Sequence, residues 1–238
     1  NYSETIGATV HRVPLNEAMD TDLEAMRQKI NGKTRLVYVC NPNNPTGVAI
    51  PAQTLRPFCE DVAKKALVFV DEAYHEYVDH PGYRSMIELV KEGHNVLISR
   101  TASKVHGLAG LRIGFGIGKP ELIRHLSQRV TGTTNLIGVR AAIASYNDRE
   151  FQQFSIRKNR ESKEIVYKVL RETGHKYLES HTNFVFLHTG KPIREFQQAM
   201  EKRGLLVGRP FPPYLDWCRL SLAKPEEMQL FAKAFREV

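Results

Sequence analysis

Short apolar runs alternate with amphipathic stretches along the first two thirds of the chain. The clearest runs lie at residues 36–40, 66–70 and 95–99, and stretches with helical spacing lie between them at 22–30 and 55–65. Runs without polar alternation favour strands that are covered on both faces. Strands that alternate with helices indicate an α/β fold built on a mostly parallel sheet.

The pattern changes near residue 120, where helical stretches become longer and strands shorter. We predict two further early strands, at 8–15 and 112–118. The later predicted helices are 121–130, 136–146, 151–172, 193–203 and 225–237, and the later strands are 183–187, 205–207 and 218–222. This change predicts a large α/β domain over residues 1–146 and a smaller α+β domain over 147–238.

Composition narrows the class of protein. Apolar residues make up 42% of the chain and charged residues 25%, which is typical of a folded globular protein. The three cysteines, Cys40, Cys59 and Cys218, lie far apart and show no zinc or disulfide spacing. A reducing compartment follows most simply, so we expect a cytoplasmic protein. No apolar run is long enough to span a bilayer, so we expect no membrane partner.

The formal charge of +8 raises the possibility of a nucleic-acid partner. Lysines and arginines are instead scattered among acidic residues, without the interleaved aromatic residues of a single-strand binder. We therefore expect no nucleic-acid partner, and a basic surface suited to small anionic molecules.

Three polar motifs follow directly after the apolar runs. They are NPNNPTG at 41–47, DEAY at 71–74 and TASK at 101–104. Ligands of parallel α/β sheets bind beyond the carboxyl ends of the strands. The sequence therefore predicts a site on one sheet edge formed by Asn44, Asp71, Tyr74, Ser103 and Lys104.

The residue types indicate what such a site could bind. A buried carboxylate is costly unless paired, so Asp71 either caps a helix, forms a salt bridge or meets a protonated heterocycle. Thr101, Ser103, Lys104 and Arg112 combine hydroxyls with cations, which suits a phosphate. Burial and neighbouring cations would lower the pKa of Lys104 and supply the neutral amine that Schiff-base chemistry requires.

Taken together, NPNNPTG, DEAY and TASKVHGLAGLRIGFGIG resemble the motifs of pyridoxal-phosphate (PLP)-dependent aminotransferases with the aspartate aminotransferase fold. The resemblance is greatest to the histidinol-phosphate aminotransferase branch and covers nearly the whole chain. It implies Lys104 as the catalytic Schiff-base lysine and Asp71 as the partner of the pyridine nitrogen. The other implied cofactor contacts are Asn44 and Tyr74 at the ring 3-oxygen, and Thr101, Ser103 and Arg112 at the phosphate.

The same resemblance implies three substrate-side residues. Asn183 in HTNFVF and Arg219 in WCRLSLAKPEEM match the family's substrate positions, with Arg219 binding a carboxylate through both guanidinium nitrogens. Without the resemblance, Arg219 would be interpreted as a surface strand residue. Arg209 in GRPFPP is implied as the arginine that contacts the substrate phosphate in histidinol-phosphate enzymes.

The chain also departs from the family pattern. An earlier stretch of the family supplies a glycine-containing phosphate loop, an aromatic ring stacked on PLP and a tyrosine that reaches the neighbouring subunit's phosphate. This chain shows no counterpart of that stretch, because residues 8–15 already resemble a strand that follows it in the family. We therefore expect the N-terminal portion of the family pattern to be missing. We expect weak or absent PLP binding by this chain alone. The resemblance further implies a homodimer with sites at the interface.

The leading functional hypothesis is an aminotransferase of amino-acid biosynthesis. It would exchange an amino group between an amino acid, such as histidinol phosphate, and a 2-oxo acid. Another PLP enzyme of the same fold, a decarboxylase or a C–S lyase, stays open because the motifs specify the cofactor better than the reaction. A non-catalytic, aminotransferase-like sensor module is the third alternative.

Overall fold

The strands form two separate sheets. The computed structural model describes residues 2–238, with a four-stranded sheet in the order β1-β2-β3-β4 and a two-stranded sheet of β5 and β6. The strands are β1 (Leu36–Cys40), β2 (Leu67–Asp71), β3 (Val96–Thr101), β4 (Gly114–Ile117), β5 (Phe184–His188) and β6 (Trp217–Ser221). Each lies within a few residues of a predicted strand.

The larger sheet is mostly parallel, as predicted. β1 pairs with β2 and β2 with β3 in parallel, whereas β4 runs antiparallel to β3. The register places Asp71 opposite Cys40 on one side and opposite Ser99 on the other. The carboxyl ends of three neighbouring strands therefore lie at one edge of the sheet, and this edge positions the site.

The helices cover much of the remaining chain. Most were predicted, but α1 and α4 were not, because four or five residues show too little periodicity. The helices are α1 (Tyr2–Thr5), α2 (Leu23–Lys29), α3 (Ala52–Val62), α4 (Ile87–Lys91), α5 (Pro120–Ser127), α6 (Leu136–Asn147), α7 (Arg149–Glu172), α8 (Ile193–Glu201) and α9 (Pro225–Phe235).

A first hydrophobic core lies under one face of the larger sheet. Alternate strand residues point to this face because side chains in a strand have a period of two. α3 contributes Leu55 and Phe58 to the same core. The strand residues in it are Val37, Val39, Val68, Val70, Val96 and Ile98.

A second core involves the smaller sheet and the helices around it. Val166 and Leu170 of α7 pack there with Val185 of β5, Phe196 of α8 and Phe231 of α9. The 24-residue α7 begins at an N-cap, Asp148, whose side chain accepts a hydrogen bond from the Phe151 amide at 2.9 Å.

Two predicted strands are wrong. Residues 8–15 form no ladder, and their only bridge joins Leu15 to Thr21. An extended segment becomes a strand only when a neighbour pairs with its backbone, and the described chain provides none here. Residues 205–207 are also unpaired, although their alternation is real: Leu205 and Val207 pack on the second core while Leu206 is 86% exposed.

None of the helices within residues 2–238 combines enough length with enough apolar character to cross a bilayer.

Candidate active site

A cavity of about 500 Å³ opens at the carboxyl edge of β1, β2 and β3. This volume is in the range of small-molecule sites. The cavity brings together every cofactor-side residue that the sequence predicts, including Lys104 and Asp71. Its predicted members are Asn44, Asp71, Tyr74, Thr101, Ser103, Lys104 and Arg112.

Asp71 ends β2 and is held by hydroxyl groups from both neighbouring strands. Tyr38 donates to one carboxylate oxygen and Ser99 to the other, each at 2.9 Å, and the Ala73 amide donates at 3.2 Å. A carboxylate has about four lone-pair sites, so Asp71 can still accept another donor from the cavity. The carboxylate is therefore oriented before any ligand arrives.

Lys104 lies in the turn that follows β3, and its amine faces Tyr74. Nζ is 5.1 Å from the centre of the Tyr74 ring, and no atom within residues 2–238 accepts a hydrogen bond from it. Burial, followed by the charges of Arg219 and Arg112, lowers the pKa of Lys104, while Asp71 opposes this shift. The surroundings thus favour a neutral, nucleophilic amine.

Asn44 connects the cavity to Arg219. Its amide nitrogen donates to the Tyr74 hydroxyl at 3.5 Å, and its oxygen accepts from Arg219 at 2.9 Å. Burial raises the pKa of Tyr74 to about 12, so the phenol keeps its proton at neutral pH. The three side chains form one hydrogen-bonded path between the two sheets.

The residues predicted to bind phosphate lie in and beside the turn that follows β3. Thr101 accepts from the Ser103 amide at 3.1 Å and donates to the Ile113 carbonyl at 3.3 Å. Arg112 has left-handed backbone (φ 56°) and donates to the Ala109 carbonyl at 2.9 Å, with its side chain exposed. Arg112 therefore retains further N–H donors for an anion.

The three substrate-side residues do not line this cavity. Arg219 reaches its edge through Asn44, and its guanidinium lies 5.1 Å from the rings of both Phe184 and Phe211. Arg219 Nε is buried without a hydrogen-bond partner in the described chain, so it has an unused donor. Arg209 is exposed and stacks 4.2 Å from the Phe211 ring, and Asn183 lies just before β5.

Several cavity residues were not predicted from the sequence. Tyr38 and Cys40 lie two positions apart on β1, and Ser99 is the register partner of Asp71. Burial, followed by the charge of Asp71, raises the pKa of the Cys40 thiol to about 11. The two-residue period and a trial register of the parallel strands could have identified these residues.

Comparison with known proteins relates this chain to one family. Residues 1–235 match the family model described as aminotransferase class I and II. The histidinol-phosphate aminotransferase of Bacillus cytotoxicus is 39% identical over 224 residues, which are 93% of this chain and 60% of that protein. The chain thus spans about three fifths of the length of such relatives.

Solved structures agree with this assignment. A candidate histidinol-phosphate aminotransferase from Erwinia carotovora is 36% identical, with a TM-score of 0.95 over 99% of this chain and 69% of that one. The histidinol-phosphate aminotransferase of Sinorhizobium meliloti, solved with pyridoxal-5'-phosphate, is 29% identical with a TM-score of 0.86, over 99% and 67%. An aspartate aminotransferase from Thermus thermophilus, 22% identical over 94% of this chain and 65% of that one, has a TM-score of 0.80 and confirms the predicted fold.

Proposed function

The chain belongs to the class I and II aminotransferase family, and we propose that its activity is PLP-dependent transamination. The observation that carries this proposal is that Lys104, with its lowered pKa, and Asp71 line one cavity. An aldehyde cofactor with a basic ring nitrogen needs an amine and a carboxylate in this relation.

The groups that line the cavity fit PLP. Asp71 would accept from the protonated ring nitrogen, and Asn44 and Tyr74 would donate to the ring 3-oxygen. Tyr74 suits this role because its raised pKa keeps the phenol protonated. The remaining cofactor contacts would be Thr101, Ser103 and Arg112 at the phosphate.

The chain's own residues would supply binding, orientation and proton transfer. When bound, PLP supplies an electron sink for the electron pair left at the substrate α-carbon. Lys104 Nζ would accept the proton that leaves this carbon while it is a neutral amine, and as the resulting ammonium it would deliver that proton on the cofactor side, so that the amino group can be transferred. Tyr38 and Ser99 would keep the Asp71 carboxylate oriented.

Arg219 is the proposed anion-binding residue on the substrate side. Its bond to Asn44 uses one guanidinium N–H and holds the group at the cavity edge, which leaves further N–H donors for an anion. We propose histidinol phosphate or a related amino acid as donor, because the relatives carry that name. Arg209 and Asn183 are the further proposed substrate contacts, with Arg209 meeting an anionic group near the Phe211 ring.

Other properties remain part of the proposal. We propose a cytoplasmic homodimer that acts on small amino and 2-oxo acids, with a domain boundary between residues 146 and 147. The two separate cores support this division. We propose weak or absent PLP binding by these 238 residues alone, because the cavity is wide open and Tyr38, on its wall, is 48% exposed.

Transfer of an amino group tests the proposed reaction. The chain would be incubated with excess PLP, histidinol phosphate and 2-oxoglutarate, and glutamate would be measured. Because PLP in excess compensates for weak binding, we expect slow glutamate formation with the wild-type chain and none with Lys104→Arg, which removes the primary amine. In parallel assays with cysteine in place of histidinol phosphate, release of carbon dioxide or sulfide without glutamate would indicate a decarboxylase or lyase. Binding without turnover in any of these assays would indicate a sensor.

A further inference from the structure

A charged cluster outside the cavity joins the two parts of the molecule. Asp79 follows the 3₁₀ turn His75–Tyr77, whereas Lys163 lies on α7 and His181 lies just before β5. His181 Nδ1 donates to Asp79 at 2.7 Å, and Lys163 Nζ is 3.7 Å from the other carboxylate oxygen. Lys163 and His181 are each only 7% exposed.

One face of α7 binds the backbone of residues 180–182. Asn159, Lys163 and Tyr167 are spaced by four and therefore share a face of the helix. Asn159 donates to the Thr182 carbonyl at 3.0 Å, and Lys163 donates to the Ser180 carbonyl at 2.6 Å. Tyr167 accepts from the Ser180 amide at 2.7 Å. The segment that leads into β5 is thus fixed to α7 along its length.

The other side of this segment contacts the NPNNPTG turn. The His181 amide donates to the Gly47 carbonyl at 2.8 Å. A Cβ atom at Gly47 would lie 2.5 Å from Ser180 Oγ, so the two backbones approach as closely as glycine allows. Gly47 closes the turn that carries Asn44, so the segment is joined to one partner of the Asn44–Arg219 bond.

The segment is also joined to the other partner of that bond. β5 begins at Phe184, two residues after Thr182, and Phe186 is the register partner of Arg219 on β6. A shift of residues 180–182 would therefore move Arg219 and Asn44 relative to each other. The Asp79–Lys163 pair resists such a shift, because separating it would leave Lys163 buried without its carboxylate. Arg160, whose Nε is 3.8 Å from Asp79, and Glu179, whose charge reaches Lys163, are the other charged neighbours.

We propose that Asp79 and Lys163 are positioning residues that hold residues 180–182 against the NPNNPTG turn and thereby align Arg219 with Asn44. The effect of this alignment on substrate binding rests on the proposed function. The alignment of Arg219 with Asn44 is a property of the chain without any ligand. Such a pair specifies one arrangement of the two sheets rather than adding much net stability.

Hydrogen–deuterium exchange tests the alignment without any ligand. In Asp79→Ala and Lys163→Met we expect the His181 amide to exchange about tenfold faster, which corresponds to about 1.4 kcal/mol. Asp79→Glu keeps the charge and should restore most of the protection. Asp216→Ala is the matched control, because Asp216 contacts His188 at 2.9 Å at the far end of β5.

Two exchange results would overturn the proposal. One is wild-type protection of the His181 amide in Asp79→Ala. The other is a loss of specificity, because it would indicate that the whole chain has loosened. This would be seen if Asp79→Ala raised the exchange rate equally at the Val68 and Val70 amides of β2, or if Asp216→Ala raised the exchange rate of the His181 amide as much.

Succinate serves as a carboxylate probe for Arg219, with binding followed by the fluorescence of Trp217, the single tryptophan of the chain. We expect Asp79→Ala and Lys163→Met to weaken succinate binding about tenfold, because a small displacement of the Arg219 guanidinium lowers its affinity for a carboxylate steeply. Asp79→Glu should bind succinate nearly as well as the wild type. Unchanged affinity in variants with faster exchange would overturn the alignment. No succinate binding by the wild type, with localised exchange effects intact, would instead contradict the proposed role of Arg219.

Discussion

The amine of Lys104 acquires its chemical character from three neighbours. Burial disfavours its charged form, and the guanidinium groups of Arg219 and Arg112 add repulsion, so its pKa falls. Asp71 acts in the opposite direction but less strongly. A larger fraction of Lys104 is therefore neutral near pH 7 than of an ordinary surface lysine.

Removal of the Arg219 charge should make Lys104 less reactive. In Arg219→Met one source of repulsion is lost, so the pKa of Lys104 rises and a larger fraction is protonated at any pH below it. We expect the pH profile for reductive methylation of Lys104, followed by peptide mapping, to move to higher pH.

Arg209→Met provides the matched control, because Arg209 also stacks on Phe211 but is not among the groups that shift the Lys104 pKa. An unshifted profile in Arg219→Met, or the same shift in Arg209→Met, would contradict this explanation.

Sequence reasoning at the residue scale succeeded where chemistry and strand ends coincide. Asp71 and Lys104 line one cavity, as the sequence predicts, because polar residues directly after buried strands meet at one edge of the sheet. Tyr38 was missed because its contact with Asp71 depends on the register between β1 and β2, which emerges only when the two apolar runs are aligned at their polar ends. The positions of Arg219 and Arg209 depend on contacts between distant segments, so no local pattern could give them.

Among the elements, the NPNNPTG turn packs closely against the segment that contains Ser180. Gly47 has φ 78°, a left-handed conformation that costs other residues about 1–2 kcal/mol. A side chain there would also meet both the Cβ and the backbone of Ser180. The glycine is therefore required by both its backbone conformation and its contact.

Gly47→Ala should destabilise the chain more than a glycine change at an open position. We expect a loss of about 2–5 kcal/mol, because overpacking of about 1–3 kcal/mol adds to the backbone cost of about 1–2 kcal/mol. Gly174→Ala is the control, since Gly174 has φ 70° with nothing near its Cβ position and should cost only about 1–2 kcal/mol. Equal losses in urea unfolding would show that the Ser180 contact is unimportant.

The periodicity of apolar residues predicted most helices and strands. It did not predict whether an extended apolar segment has a neighbouring strand to pair with. Residues 8–15 have the composition of a strand, yet no neighbouring strand pairs with them in the described chain. Residues 205–207 alternate correctly between core and solvent without joining a ladder. Pairing is a property of the tertiary fold, so composition alone overestimates the number of strands.

For the molecule as a whole, the two cores should respond separately to cavity mutations. Phe231→Ala in the second core should cost about 3–5 kcal/mol in the unfolding transition followed by Trp217 fluorescence. Leu89→Ala, at a fully buried position of the first core, should instead shift the far-UV circular dichroism transition more than the fluorescence. Equal shifts of both probes in both variants would contradict the proposed division into two domains.

For the molecule as a whole, the proposed function requires an amine and an aldehyde cofactor to meet at Lys104. Its most direct test is borohydride reduction of the chain in excess PLP, followed by peptide mapping, because reduction traps even a weakly bound cofactor. We predict one dominant adduct on Lys104, absent in Lys104→Arg and reduced in Asp71→Ala. A dominant adduct on any other lysine, or equal labelling in Asp71→Ala, would contradict the assignment of this cavity as the cofactor site.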